Sequence, residues 1–378
     1  MGQDQKIYII VNNPSGGTRL TSKNWAKTIR DAAHDVALVT FLDESFSDHI
    51  DGVEYHCPLV DVIGERSLPR PIKLIMSFTV MAIWFFKEKP KRIITIGMPI
   101  TIGGYIVSFW HKMNRSVILD THISAHLDYK SKQKTSLTFR LMALVTHNRW
   151  IYKKILSKMH DVIGISQSVA HDAMNCYGVH NGKISVVPPL IEKSFFESDM
   201  PQKRPRNKIL YVGRLSDEKN IGDALKVMQM LVRDNCDFHL DIVGGGDMLS
   251  TLERQVGSLS LEDHVTFHGA RSNISDFHGR ATMQILTSHY EGFPLVLVEA
   301  MANGVPCVTY DGAFSPNDFI DNDVNGFVVR QYDVKSLRDA ILQANEKDWD
   351  MQDIRDGALE FHSDRVKEKI ISCLFSRV

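Results

Sequence analysis

Cysteine is sparse in this sequence and never paired: Cys57, Cys176, Cys236, Cys307 and Cys373 are scattered along 378 residues with no CxxC. An odd, dispersed set argues against a disulfide framework and reads as reduced thiols in a cytoplasmic protein. No apolar run reaches the roughly 20 residues that a bilayer span needs. The longest, residues 74–86, contains Ser77 and Thr79, so it is either a core helix or one lying on a surface. The opening stretch MGQDQKIYIIVNN lacks a charged leader, an apolar segment and a cleavage site, so no signal peptide is expected. Neither sign of charge is in excess, with 44 Lys and Arg against 45 Asp and Glu. That balance argues against a globally basic, nucleic-acid-binding surface.

A chain that is 43% hydrophobic and 24% charged can bury real cores, and its length predicts two domains. Short β-branched runs alternate with helical segments, the pattern of parallel sheets flanked by helices, so the fold class is α/β. The first half offers strands at 6–11, 36–41, 92–96, 116–120, 161–165 and 183–187. The second offers 208–212, 239–243, 265–268, 283–287, 306–309 and 326–329, with helices at 220–233, 294–302 and 334–345. Pro188, Pro189, Pro201 and Pro205 stand among charged residues and give the stretch between the halves the composition of a linker. The expected domains are 1–195, with a C-terminal helix at 360–378 packing back on it, and 203–358.

The stretch from Thr287 to Thr309, TSHYEGFPLVLVEAMANGVPCVT, carries the most chemistry. A strand ends at Thr287 and a loop runs through Glu291, Gly292 and Phe293 to Pro294, which fits a first helical position. Gly292 permits close backbone approach, and the N–H groups of the following turn suit phosphate. Glu299 follows Glu291 by eight residues, on the order of 12 Å along a helix. Two carboxylates so spaced can hold hydroxylated groups at both ends of a diphosphate. Alternatively, Glu291 partners the helix dipole and Glu299 is a solvated helix residue. A second stretch, YVGRLSDEKN from Tyr211 to Asn220, delivers Arg214 at a strand end and Lys219 shortly after, two cations that suit a diphosphate.

Together these segments closely resemble the retaining glycosyltransferases of the GT4 family over nearly the whole chain. The shared features are Glu291-GFPLVLV-Glu299, the following Ala300-Met301-Ala302-Asn303-Gly304-Val305-Pro306, and Gly213-Arg214-Leu215 with Lys219-Asn220. The resemblance implies the GT-B fold, two facing Rossmann-like domains with a cleft between them. It implies that Glu291 contacts the donor sugar, that Glu299 binds the ribose, and that Arg214 and Lys219 neutralise the leaving diphosphate. Gly16 and Gly17 of Ser15-Gly16-Gly17-Thr18-Arg19 match a loop near the donor phosphates. His122, with His126 as a weaker competitor, resembles the family's histidine near the reacting sugar. The same likeness makes Gly292, Phe293, Pro294, Leu295 and Arg271 substrate-binding candidates. Gly244-Gly245-Gly246-Asp247 departs from the family's usual Gly-Asp-Gly-Pro. Asp321-Asn322-Asp323 resembles a metal-binding Asp-x-Asp but reads as a turn, so no metal or other cofactor is expected.

Residues 1–200 carry 24 basic against 18 acidic side chains and residues 201–378 carry 20 against 27, net charges of +6 and −7. Lys130, Lys132, Lys134, Arg140, Arg149, Lys153, Lys154 and Lys158 fall in a tract with no acid. With the aromatic segment 74–86 and its flanking cations, this tract suits an anionic membrane surface, although a core helix and a solvated charged face are the plain alternatives. The expected protein is peripheral on the inner face of the cytoplasmic membrane. It would move a hexose or N-acetylhexosamine from a nucleotide-sugar, UDP-linked by preference, to a glycan or lipid-linked acceptor of bacterial envelope polysaccharide, with no nucleic acid partner. A nucleotide-sugar epimerase on the same fold and a catalytically silent partner subunit are the competing readings.

Overall fold

A computed structural model describes residues 6–11, 16–40, 50–58, 80–96, 114–119, 149–312 and 316–375, with the backbone alone for 16–19. The chain divides into two compact units, Met1–Leu190 with Val366–Val378, and Ile191–Arg365.

The first unit holds β1 (Ile7–Val11), β2 (Val36–Thr40), β3 (Glu54–His56), β4 (Arg92–Ile96), β5 (Asn114–Leu119), β6 (Asp161–Gly164) and β7 (Ile184–Val186). They form one parallel sheet in the order β3-β2-β1-β4-β5-β6-β7. Every residue of β1 and β2 is buried, which is why these strands read as continuous apolar runs: helices cover both faces of such a sheet. The helix Gln167–Tyr177 shows how local sequence sets its limits. The Ser166 hydroxyl accepts from the Val169 N–H at its start, and left-handed Gly178 donates to the Ala173 and Met174 carbonyls at its end.

The second unit holds β8 (Lys208–Val212), β9 (His239–Val243), β10 (Val265–Gly269), β11 (Met283–Leu286), β12 (Cys307–Asp311) and β13 (Gly326–Arg330), all parallel, in the order β10-β9-β8-β11-β12-β13. Counted from its own first strand this is the 3-2-1-4-5-6 order of dinucleotide-binding sheets, and the first unit repeats it with one added strand. The helix Ile221–Arg233 buries Ile221, Ala224, Leu225, Met228 and Leu231, an apolar stripe of helical period that lies in the core of this unit.

The boundary between the units falls inside the proline-rich stretch, and the part from Ile191 onward is bound to the second unit. The Ile191 N–H donates to the Phe361 carbonyl at 2.8 Å, and a short helix follows at Lys193–Phe196. The Arg204 guanidinium donates to the carbonyls of His278, Ala281, Asn303 and Gly304. Burial lowers its pKa to about 10, and the neighbouring charge of Arg355 adds to the effect. The helix Ser363–Phe375 carries the chain back to the first unit, where Arg92 donates to the Leu374 carbonyl and the His34 ring stacks on Phe375 at 4.0 Å.

Candidate active site

In sheets of this order, ligands bind beyond the carboxyl ends of the strands, where the winding reverses. In the second unit that point lies between β8 and β11, and the segments following these two strands are bonded together. The His289 N–H donates to the Glu218 carbonyl at 2.8 Å, and the Thr287 hydroxyl donates to the Asn220 carbonyl at 2.9 Å. From beyond β13, the Gln331 amide donates to the His289 carbonyl at 2.7 Å.

Three of the expected site residues converge on this platform. Lys219 Nζ donates to Glu291 Oε1 at 2.5 Å, and the Ser288 hydroxyl donates to the same oxygen at 2.7 Å. Both charged side chains are largely withdrawn from water, 18% and 13% exposed, so their attraction is only weakly screened. Arg214 pairs with Glu218 Oε1 at 2.7 Å but is 65% exposed, which leaves it the looser of the two cations. Burial alone would push the Glu218 carboxyl up. The Ser216 hydroxyl, a backbone N–H and the charges of Arg214 and Lys219 outweigh that and hold it below the usual range.

Glu299 lies on the helix Leu295–Ala302. It is half-buried rather than solvated, and burial pushes its carboxyl up to about 7. Pro294 is the N-cap of this helix, one position before the first helical position that the sequence suggests. The Phe293 ring packs on Phe319 and Phe361 at 5.4 and 5.2 Å, and Leu295 packs against the core, while Gly292 is half-buried in the loop. At the far end of the helix, Arg204 and Arg355 donate to the carbonyls of Asn303, Gly304 and Ala302, placing cations where the helix dipole is negative.

The loop bearing Arg214 is pressed from the side by glycines. A Cβ on Gly244 would stand 1.8 Å from the Gly213 carbonyl oxygen, and one on Gly246 would stand 2.3 Å from that of Leu215. No side chain fits either place, so the departure from Gly-Asp-Gly-Pro preserves close packing against the loop. A cavity of about 360 Å³ borders the same loop, lined in part by Ser216, Asp217, Asn220, Lys226 and His289.

Other candidates belong to other elements. Arg271 is exposed just beyond β10, and Gly16 and Gly17 open the helix Gly16–Asp31 after β1 in the first unit. His122 and His126 lie outside the described residues, as do Lys130, Lys132, Lys134 and Arg140. Asp321 and Asp323 form a turn: the Val324 N–H donates to the Asp321 carbonyl, and Asp323 is left-handed with φ 67°. Among the described residues no group of three or more His, Cys, Asp or Glu is placed to hold a metal ion. Sequence reading missed Ser288 and Glu218, the partners that orient Glu291 and Arg214, although both lie inside the two motifs. The Tyr211 hydroxyl is buried with no hydrogen-bond partner among the described residues.

Residues 192–360 match the family model described as Glycosyl transferases group 1. Among curated relatives, the poly(glycerol-phosphate) alpha-glucosyltransferase of Bacillus subtilis is 26% identical over 50% of this chain, and the match spans only 29% of that protein's length. The amylovoran biosynthesis glycosyltransferase AmsD of Erwinia amylovora is 23% identical over 86% of this chain and 85% of its own. Among solved structures, the lipopolysaccharide outer core galactosyltransferase WaaB covers 99% of this chain and 100% of its own with a TM-score of 0.75 at 18% identity. Anabaena HepE, solved with UDP and glucose, covers 98% and 100% with a TM-score of 0.74 at 19% identity. The two Rossmann-like units therefore have the GT-B fold of glycosyltransferases.

Proposed function

We propose that this protein is a retaining, GT4-like glycosyltransferase that moves a hexose or N-acetylhexosamine from a UDP-sugar to a hydroxyl of a bacterial envelope glycan. The observation that carries this reading is the pairing of Lys219 with Glu291, beside Arg214 and Glu218, where the second sheet reverses its winding. The match to glycosyltransferases group 1 over the same unit supports it, as do relatives named for envelope polymers.

In this reading the donor diphosphate draws Lys219 and Arg214 onto its oxygens, and Glu299 accepts hydrogen bonds from the ribose hydroxyls. Glu291 accepts from hydroxyls of the sugar and sets its orientation. The bond between the anomeric carbon and the diphosphate oxygen breaks, with its electron pair passing to the diphosphate. The acceptor oxygen bonds to the anomeric carbon on the same face, and its proton passes to the departing diphosphate. The two cations neutralise the charge that develops there, in the role a metal ion plays in other transferases.

The acceptor and the membrane are assigned to the first unit. Ile83 and Phe86, next to Lys87, Lys89 and Lys91, are exposed, as is Trp150 near Lys153 and Lys154. Such apolar and cationic neighbours suit an anionic surface. Among the described residues no helix is long and apolar enough to cross a membrane.

A panel of nucleotide-sugars assayed for hydrolysis without acceptor tests the reading. Slow release of UDP that persists in excess chelator is expected. Acceptor-free conversion of UDP-GlcNAc to its epimer would favour an epimerase, and no turnover of any donor would favour a silent subunit.

A further inference from the structure

Asn220 joins the loop that carries Lys219 to the helix Ile221–Arg233. It holds the N-cap place with a left-handed backbone, φ 47°. An ordinary N-cap is extended and offers a side-chain oxygen to the first N–H groups of its helix. Asn220 makes no such bond. Its amide instead donates to Asp223 Oδ2 at 2.8 Å, while the Thr287 hydroxyl donates to the Asn220 carbonyl at 2.9 Å. The residue after Lys219 is thus held from two sides, by its side chain and by its backbone.

Asp223 lies in the first turn of that helix and is 5% exposed. Its Oδ2 also accepts from the hydroxyl of Tyr310, a fully buried residue of β12, at 3.2 Å, and its Oδ1 accepts from the exposed Lys226 at 2.7 Å. Burying a carboxylate is costly, and a helix start does not require it, since a neutral Asn or Ser side chain caps the first N–H groups as well. What the carboxylate adds is a tie from β12 to Asn220, next to the residue whose Nζ reaches Glu291.

We infer that Asp223 is a positioning residue: it locks the left-handed turn at Asn220 and so fixes the direction in which Lys219 leaves the loop. This rests on the proposed transfer from a nucleotide-sugar, in which Lys219 meets the charge that develops on the leaving diphosphate. A cation serving that charge acts best from a backbone that does not reorganise as the bond breaks.

The experiment measures UDP-sugar turnover for Asp223→Ala in the wild-type and in the Lys219→Ala background. In the wild-type background kcat should fall about tenfold or more with KM within about threefold, and in the Lys219→Ala background the same change should cost less than about twofold. Asp223→Asn keeps an oxygen for the Asn220 amide and should return kcat to within about threefold of wild type. Should Asp223→Ala fail to fold, Asn220→Gly takes its place with the same expectation, because glycine suits the left-handed turn and only the amide is lost. A kcat within about twofold of wild type would overturn the inference and leave the transferase reading standing. Equal losses in the two backgrounds would also overturn it, since a packing role does not depend on Lys219. A wild-type protein that turns over no nucleotide-sugar would remove the transferase reading, and the inference with it.

Discussion

The two sheets are wound in the same order, yet the connection after the first strand of each differs. In the first unit β1 is followed within a few residues by the helix Gly16–Asp31. In the second, residues 213–220 lie between β8 and the helix Ile221–Arg233. They include a 3-10 turn, Asp217–Lys219, and left-handed Asn220 before the helix starts. The longer connection gives Arg214, Glu218 and Lys219 room to face the segment after β11. Common topology thus fixes where a ligand would sit, and loop length with its charges fixes what kind of ligand the second unit can take.

The largest test of this contrast removes the buried cation. Lys219→Ala should lower kcat about a hundredfold or more, and Arg214→Ala should do less, because Arg214 is already exposed and screened. Steady-state kinetics with a UDP-sugar would show it, and equal losses would break the distinction between the two cations. Next in size is the loop's backing. Gly244→Ala forces a Cβ into the Gly213 carbonyl and should destabilise the fold by about 2–4 kcal/mol in denaturant titration.

Glu299 offers a smaller, pH-dependent effect. Its carboxyl is pushed up to about 7 in the folded protein, so the folded state binds the proton more tightly than the unfolded chain does. Stability should therefore fall as pH rises from about 4.5 to about 7. Glu299→Gln should be more stable than wild type by about 1–3 kcal/mol at pH 8 and no more stable below pH 4, as read by melting at each pH. Smallest is the membrane term in the first unit. Lys153→Gln should weaken binding to anionic vesicles by about 1 kcal/mol, with no change in donor hydrolysis. Equal binding to neutral vesicles would remove the electrostatic reading.

The sheet order follows from strands that were legible as apolar runs: residues 92–96, 208–212 and 239–243 fall where the sequence suggests. β3 was not legible, because Glu54–His56 is a three-residue strand without an apolar pattern. Glu291, Lys219 and Arg214 could be picked out because Glu291-GFPLVLV-Glu299 and Gly213-Arg214-Leu215 with Lys219-Asn220 resemble a known family together; as isolated loop charges they read as ordinary surface residues. That Gly244 and Gly246 allow close backbone approach could be read, but not that they press on the Gly213 and Leu215 carbonyls, which folding alone brings close.

Arg204 determines where the chain can be divided. Its guanidinium gathers the carbonyl ends of the helices Ile274–Arg280 and Leu295–Ala302, yet it precedes the first strand of its unit. A fragment beginning at Lys208 would contain every strand of the second sheet but deprive those carbonyls of the Arg204 guanidinium. A fragment beginning at Ile191 retains the clamp. Protease nicking between Ile191 and Arg204 should therefore release less structure than the prolines there suggest, because the distal piece keeps its anchor.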